Sequence, residues 1–578
     1  MRIDGVGLMI SMTSRLPMSF LASIITVVYL VQLNGCAGIE VSRYYERGIV
    51  VTAAPLATEA GRQVFAAGGN AFDVAVAVGF ALAVVHPEAG NIGGGGFAVI
   101  RDGKTELIKA LDFRETAPAG SSEKMFLDEN DEVRPEASTV GALAAGVPGT
   151  VAGLYELWRK HGSLPWEVLV RPAARLADSG FVVDAYLAAS LAEYEDDLAR
   201  FEPTALLLLT EGAAPAAGKR LQLPDLAATL YTIAAEGPGG FYRGPVADKI
   251  VACMQQRGGL ISHADLENYR AVWRTPVAFQ FDSLTVYSMP PPSSGGICLG
   301  QILCLLQPYE FATLSPQSVE YIHLFTEAAR SSFADRSEHL GDPEFYDIPT
   351  SLLEPHYLAH RAGLIDPDQA TPSQLISPGA PAADESDQTT HYSVCDSDGN
   401  MVALTYTLNA SYGCKLAVEG AGFLLNNEMD DFSIKPGHPN LYGLIGGEAN
   451  QIEPGKRMLS SMTPTLVLKD KRPFMVLGSP GGSKIITVVA QALVNFTRFH
   501  LNLAETVGQP RFHHQWLPDS LYLEVGGFDI SVIHALSGRG HDVREREPYG
   551  DLQAVYITEA GLMTGAADPR GRGMVGGI

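Results

Sequence analysis

The sequence predicts an α+β fold, and three observations carry that reading. The uncharged apolar run that follows Asp73, ending at Val85, has the length and composition of a helix buried on all sides. Helical spacing dominates residues 140–360, as in Thr150–His161 and Ser318–Ala334. The last third alternates like strands and holds two hairpin patterns. With 46% hydrophobic and 18% charged residues, a chain of 578 residues can bury a large core.

At the N-terminus, Arg15, the apolar run Leu16–Val31 and the small residues Gly35-Cys36-Ala37-Gly38 read as an export signal. The run is too short for a membrane-spanning helix, which takes roughly 20 apolar residues. Leu33-Asn34-Gly35-Cys36 resembles a bacterial lipobox, with Cys36 as the residue to be lipidated. Plain cleavage to a soluble periplasmic protein is the alternative. Residues 1–36 are thus set apart from the mature chain, and Met12 is a candidate start.

Gly48–Thr52 reads as a first strand, and Leu56–Ala67 as a helix stopped by Gly68-Gly69. Asn70 can cap the apolar helix, with Asp73 in its first turn and His86-Pro87 ending it. Asn91-Ile92-Gly93-Gly94-Gly95-Gly96-Phe97 then leads into a strand, Ala98–Ile100. A dinucleotide fold orders strand, glycines, helix. Here the order is helix, glycines, strand, so the glycines read as a close-packed turn. Met289–Gly296, rich in Pro, Ser and Gly, interrupts the helical region. Thr390–Cys395 and Met401–Leu408 form one hairpin about Asp396–Asn400, and Thr465–Leu468 and Phe474–Leu477 form another about Lys469–Pro473. That last strand runs into Gly478-Ser479-Pro480-Gly481-Gly482-Ser483 and a helix from Ile485 to about Phe496. Such a turn presents unpaired backbone N–H groups with a helix dipole behind them. It can serve an anion or a developing oxyanion, or be a tight connection and nothing more.

The net charge of −24 is scattered along the chain and argues against a nucleic-acid partner. Besides Cys36 there are five cysteines, Cys253, Cys298, Cys304, Cys395 and Cys414, with no metal-site spacing. Buried free thiols are expected, a Cys395–Cys414 bridge being the conceivable exception. His513-His514 on an extended segment face opposite sides and read as structural.

The candidate chemistry centres on Gln388-Thr389-Thr390-His391-Tyr392-Ser393, which follows the polar stretch Pro378–Asp387. Taken alone, it is also a Thr-rich strand edge. Cut before Thr389, however, the chain would gain an α-amine of reference pKa about 7.7–8.0 beside that residue's own hydroxyl. This is the threonine form of an activated nucleophile.

The assembled motifs resemble the γ-glutamyltransferases (γ-glutamyltranspeptidases), members of the N-terminal-nucleophile hydrolases, over essentially all of residues 48–572. The resemblance rests on His86–Phe97, Asp112–Pro118, Thr389–Ser393, Asn426–Phe432, Leu459–Met462 and Gly478–Gly482. It implies an αββα four-layer sandwich built from two autoproteolytic subunits, 37–388 and 389–578, cut between Gln388 and Thr389 and held as a heterodimer. It implies that Thr389 attacks the γ-carbonyl of a γ-glutamyl compound such as glutathione. The glutamyl group then passes to an amino acid, a peptide or water, with no cofactor and no metal. Thr407 is implied to orient Thr389, and the amides of Gly481 and Gly482 to form the oxyanion hole. Arg114, Ser460 and Ser461 would hold the substrate α-carboxylate, and Asn409, Glu428 and Asp431 its α-ammonium. The loop 436–454, containing Tyr442, would lid the site. Glutamate at 428 stands where some bacterial relatives have glutamine. His391 looks like a base, but the free amine already fills that role. A glutaryl acylase of the same fold is the competing enzyme reading. An uncleaved γ-glutamyl-peptide-binding protein is the competing non-enzyme reading.

Overall fold

The computed structural model describes residues 43–376 and 389–578. The export segment with Cys36, the stretch Pro378–Asp387 and Gln388 lie outside the described residues.

Two antiparallel sheets form the centre. The first has seven strands in the order Met574–Gly577, Gly48–Thr52, Thr390–Asp396, Met401–Thr407, Gly95–Arg101, Ile108–Phe113, Val272–Arg274. The second has six, Met563–Ala567, Gln553–Ile557, Arg472–Gly478, Thr465–Lys469, Leu284–Ser288, Val277–Phe281. Period-two alternation sends each first-sheet strand to two different cores. Tyr392, Val394, Val402 and Leu404 pack with the helices Ala71–Val85 and Trp166–Ser179. Cys395, Ala403, Ile49 and Val99 share the other core with Leu466 and Val476 of the second sheet. The helices Gly295–Leu306, Val319–His339 and Ile485–Thr497 belong to that second core. The layers therefore run helix, sheet, sheet, helix, as expected.

Local signals explain most element ends. The Asn70 carboxamide accepts from the amides of Phe72 and Asp73, and Asp73 accepts in return from the Asn70 amide at 3.0 Å, a reciprocal cap. The helix it opens, Ala71–Val85, is buried throughout. The hairpin joining Thr465–Lys469 to Arg472–Gly478 turns on Asp470 and Lys471, both with positive φ, as a tight two-residue hairpin requires. The strand expected at Ala98 begins three residues earlier, inside the glycine run. Any Cβ at Gly94 would lie 2.1 Å from the Thr407 carbonyl, and at Gly96 2.4 Å from that of Thr405. The glycines thus let two strands approach, and no nucleotide-type helix follows them. The helix expected at Ser318–Ala334 continues to His339. Strand Met574–Gly577, unforeseen because its sequence is Met-Val-Gly-Gly, closes one edge against Gly48–Thr52.

All five described cysteines are free thiols, so Cys395 and Cys414 are not bridged. Among the described residues, no helix is long and apolar enough to cross a membrane.

Candidate active site

Thr389 sits at the head of strand Thr390–Asp396, a central strand of the first sheet, and is buried. The pairing of that strand with Met401–Thr407, continued by one residue, sets Thr407 opposite Thr389. Thr407 is fixed in turn by its neighbours: its hydroxyl accepts from the Asn409 amide at 2.8 Å, and its carbonyl accepts from the Asn91 carboxamide at 2.9 Å. Asn91 also ties down the glycine turn, accepting from the Gly94 amide. His391 lies two residues on. Its ring nitrogens engage Thr405 at 2.8 Å and Ser393 at 3.0 Å, and burial drives its pKa down to about 3. It is a neutral, fully engaged ring, in keeping with its dismissal as the base.

The glycine turn lies beside this strand. A Cβ at Gly478 would fall 2.4 Å from the His391 ring. Beyond it, Gly481 and Gly482 have φ of 131° and 53°, and Gly482 opens a short 3-10 turn that leads into helix Ile485–Thr497. The amides of Gly481 and Gly482 have no hydrogen-bond acceptor among the described residues. They are donors at the head of a helix, the arrangement that stabilises an oxyanion. Tyr442 covers them: its hydroxyl donates to the Asn409 carbonyl at 2.7 Å, and its carbonyl accepts from Gln515 at 2.9 Å. Gly482→Ala would put a methyl group 2.5 Å from the Tyr442 ring, at a φ that disfavours L side chains. The expected outcome is a loss in kcat on the order of 10²-fold, since misplacement by about 1 Å costs that much. Steady-state kinetics with KM and kcat separated would check it; an unchanged kcat would remove these amides from the reaction.

The charged residues converge more tightly than the sequence suggested. Arg114 follows strand Ile108–Phe113, its amide held by Asp112 at 2.9 Å and its carbonyl by the Tyr269 hydroxyl at 2.7 Å. Its guanidinium is buried, pairs with Glu428 at 2.5 Å and donates to Asp431. Glu115 is a third carboxylate, 3.7 Å away and also buried. Glu428 and Asp431 occupy one 3-10 turn, Glu428–Asp431. The asparagines before it act as brackets. Asn426 bonds the carbonyls of Gly93 and Gly146, and Asn427 accepts from Ala410 and donates to Thr139. Asn409, with φ of 80°, donates to the Asn427 carbonyl, which joins it to the same turn. Asn440 of the Tyr442 loop donates to Asp431 at 3.1 Å, so the loop is tied to the charged cluster.

Burial raises the pKa of Glu428 and Asp431, while Arg114 pulls both back down. Burial likewise lifts Glu115, against the pull of Arg114, to about 8. A carboxyl raised in the folded state contributes stability below its unfolded value, near 4.5, that is lost as pH rises through the folded one. Stability should therefore fall between about pH 4.5 and 8, and Glu115→Gln should flatten that slope. Urea midpoints across the range would show it. A variant with the wild-type slope would mean that Glu115 is ionised throughout.

Ser460 and Ser461 rest on a shelf that the sequence reading took for a mere interruption. The Ser460 amide donates to the Pro292 carbonyl, and its own carbonyl accepts from the Ser294 amide at 2.8 Å and the Ser294 hydroxyl at 2.7 Å. The Ser461 hydroxyl accepts from Arg336 at 3.3 Å. Neither Arg336 nor Glu115 was singled out from sequence. Glu115 lay within the Asp112–Pro118 motif, but Arg336 had no local signal. His513 and His514 are both buried, one bonded to Thr487 and Gln515, the other to Arg330 and Asp519. Elsewhere, His323, Glu327 and His541 meet in one buried group, with His323 Nδ1 2.8 Å from His541 Nε2.

The family described as γ-glutamyltranspeptidase matches residues 57–578. The chain is 46% identical over 527 residues to the glutathione hydrolase proenzyme of Escherichia coli (strain K12), covering 91% of this chain and 90% of that protein. Its structure is similar to a cephalosporin acylase from Bacillus halodurans, with TM-score 0.83 and 26% identity over 94% of this chain and 98% of the acylase. A γ-glutamyltranspeptidase chain from Helicobacter pylori is similar over 57% of this chain and 94% of its own, with TM-score 0.56 and 41% identity.

Proposed function

The chain belongs to the γ-glutamyltranspeptidase family, and from that membership we propose how its own residues process the chain and turn over substrate. It is an autoprocessed enzyme that hydrolyses or transfers γ-glutamyl groups. The Thr389 hydroxyl attacks the Gln388 carbonyl carbon and the Gln388–Thr389 peptide bond breaks, leaving an ester that water hydrolyses. The products are a 37–388 subunit ending in a carboxylate and a 389–578 subunit with a free Thr389 amine. That amine takes the proton of its own hydroxyl, oriented by Thr407, as the oxygen attacks a γ-glutamyl carbonyl. The amides of Gly481 and Gly482 hold the oxyanion. The γ-amide bond breaks, the leaving amine carries the proton away, and a glutamyl ester of Thr389 remains. An amine or water then attacks the ester.

The observation that carries the substrate is the buried meeting of Arg114 with Glu428 and Asp431. A free glutamate head bears one carboxylate and one ammonium, and this cluster offers partners for both. Ser460, Ser461 and Asn409 supply the neutral contacts, and Tyr442 the cover. Glutathione is the proposed donor, with amino acids or peptides as acceptors beside water.

The likeness to an acylase keeps a second reading in view. A glutaryl group has no ammonium, and Glu428 and Asp431, two buried acids, would then share the single positive charge of Arg114. The test supplies glutathione with and without a dipeptide acceptor and follows glutamate against γ-glutamyl-dipeptide, with a glutaryl β-lactam as the rival substrate. Faster turnover of the glutaryl compound would overturn the γ-glutamyl assignment. The sequence of residues 15–38 supports export to the periplasm, with or without lipid on Cys36. Activity recovered from the cytoplasmic fraction of cells would rule that out.

A further inference from the structure

On the self-cleavage reading above, the mature enzyme is two chains, and no disulfide among the described residues ties them together. One buried group spans both. His323 and Glu327 belong to the 37–388 chain and His541 to the 389–578 chain. Helix Val319–His339 carries the first two, which lie four residues apart and so share a face. His541 follows helix Ile530–Gly538, its amide donating to the Leu536 carbonyl at 3.2 Å. One donor atom from each of the three residues lies within 4.8 Å of the others.

Hydrogen bonds aim these atoms at one point. His323 Nε2 lies 2.8 Å from the Asp366 carbonyl oxygen, which can only accept, so Nε2 carries the proton and Nδ1 presents a lone pair. A ring N–H held by a backbone carbonyl is how proteins commonly fix a metal-ligating imidazole. That lone pair faces His541 Nε2 at 2.8 Å. Nitrogens bound to a tetrahedral zinc at ~2.0–2.1 Å stand roughly 3.4 Å apart, so a small movement of the rings makes room for the ion. Glu327 Oε2 accepts from the Thr371 amide at 3.2 Å, whereas its buried Oε1 has no hydrogen-bond partner among the described residues, nor has His541 Nδ1. Burial holds both rings in the neutral form, the one that ligates. Charge favours a cation as well. Arg330 is shared between Glu327 at 3.6 Å and Asp519 at 3.3 Å, two acids for one arginine. Arg539, which also acts on His323, is paired with Glu320 at 3.6 Å. Two imidazoles and a carboxylate are a donor set that suits zinc.

We propose that His323, Glu327 and His541 form a zinc site that staples the large subunit to the small one. His323 Nδ1, Glu327 Oε1 and His541 Nε2 supply three ligands, and a water supplies the fourth. The His541 proton moves to Nδ1 as its Nε2 takes the metal. The site is structural: the ion takes no part in glutamyl transfer, and holds together two chains that the cut has made separable.

The test strips the self-cleaved enzyme of metal with a chelator and adds back Zn²⁺ or Co²⁺. Wild type should take up one ion per heterodimer, Co²⁺ giving the intense visible bands of a tetrahedral site. The bound ion should raise the urea concentration at which the subunits separate. His541→Ala should weaken binding on the order of 10²-fold or more, since even an outer partner of a ligand is worth about 10–100-fold. It should also erase the zinc-dependent shift in the urea midpoint. Should the alanine variant fail to fold, His541→Gln carries the same measurements. No uptake by wild type, or equal uptake by wild type and variant, would overturn the site. Uptake without a shift in the midpoint would overturn the staple. A denaturing gel run before metal is added separates this from the self-cleavage reading. An uncut chain there would refute that reading and the staple with it, while its metal uptake would still decide the site.

Discussion

Thr389→Ala leaves a single uncut chain whose turnover of γ-glutamyl substrate falls by more than roughly four orders of magnitude. The effect is this large because one hydroxyl serves twice. It attacks the peptide bond that frees its own amine, and that amine later acts as its base. Thr407 and the amides of Gly481 and Gly482 remain in the variant, but they have no nucleophile to assist. The fold should survive. Thr389 precedes strand Thr390–Asp396, whose ladder with Met401–Thr407 starts at Thr390. A denaturing gel with N-terminal sequencing of each band measures the first half of the prediction, and glutamate release the second. Two chains from Thr389→Ala, the smaller beginning at residue 389, would refute self-cleavage by this residue. Thr389→Ser should still cut itself, more slowly, because the attacking oxygen is kept and only the methyl group that fixes its rotamer is lost.

Much of this was legible in the chain because the signals are local. A capping asparagine, an uncharged helix, two tight turns and a glycine-bearing turn before a helix all act within a few residues. Elements such as Gly48–Thr52 and Thr150–His161 fall where their patterns place them. The start of strand Gly95–Arg101 was misjudged because glycine lowers strand propensity. Here that cost is offset by the approach of the Thr407 and Thr405 carbonyls, which no local pattern encodes. The same limit governs the site. Thr389, Glu428 and Gly481 stand in short motifs. Arg336 is 42 residues from Ser294 and 125 from Ser461, and reaches them through the packing of Val319–His339 against the Pro292–Ser294 shelf. Helical periodicity assigns it a face of a helix. It does not show that this face meets a serine pair 125 residues further along the chain. Glu115 was visible in its motif, but whether it is a surface acid or a buried third carboxylate depends on Gly95, whose missing side chain leaves room for it: a Cβ there would lie 2.8 Å from the Glu115 carboxyl.

Arg114→Met is expected to fail in the opposite manner to Thr389→Ala: it should still cut itself yet scarcely turn over. Self-cleavage requires the Thr389 hydroxyl and its oxyanion donors, none of which is bonded to Arg114. Substrate binding requires the charged cluster. Without Arg114, Glu428 and Asp431 lose their only ion-pair partner among the described residues, and Glu115 loses the nearest positive charge. Breaking a buried ion pair from one side typically costs about 3–5 kcal/mol, because the remaining charge stays buried. Carboxyls already raised by burial can escape part of that cost by taking up protons, so the loss should be smaller at low pH. The variant should therefore show a lowered urea midpoint that recovers on acidification. Its kcat/KM should fall on the order of 10³-fold, carried by KM, because Glu428 and Asp431 are no longer held in place by Arg114 to receive the ammonium. Adding Glu428→Gln should return stability at neutral pH by removing one unpaired charge, and should return no activity. If the double variant recovered turnover as well as stability, Arg114 would be scaffolding alone, and the glutamate head would have to be held by other groups. Equal stability of Arg114→Met and wild type at neutral pH would mean that the three acids are protonated already and that the ion cluster does not exist in solution.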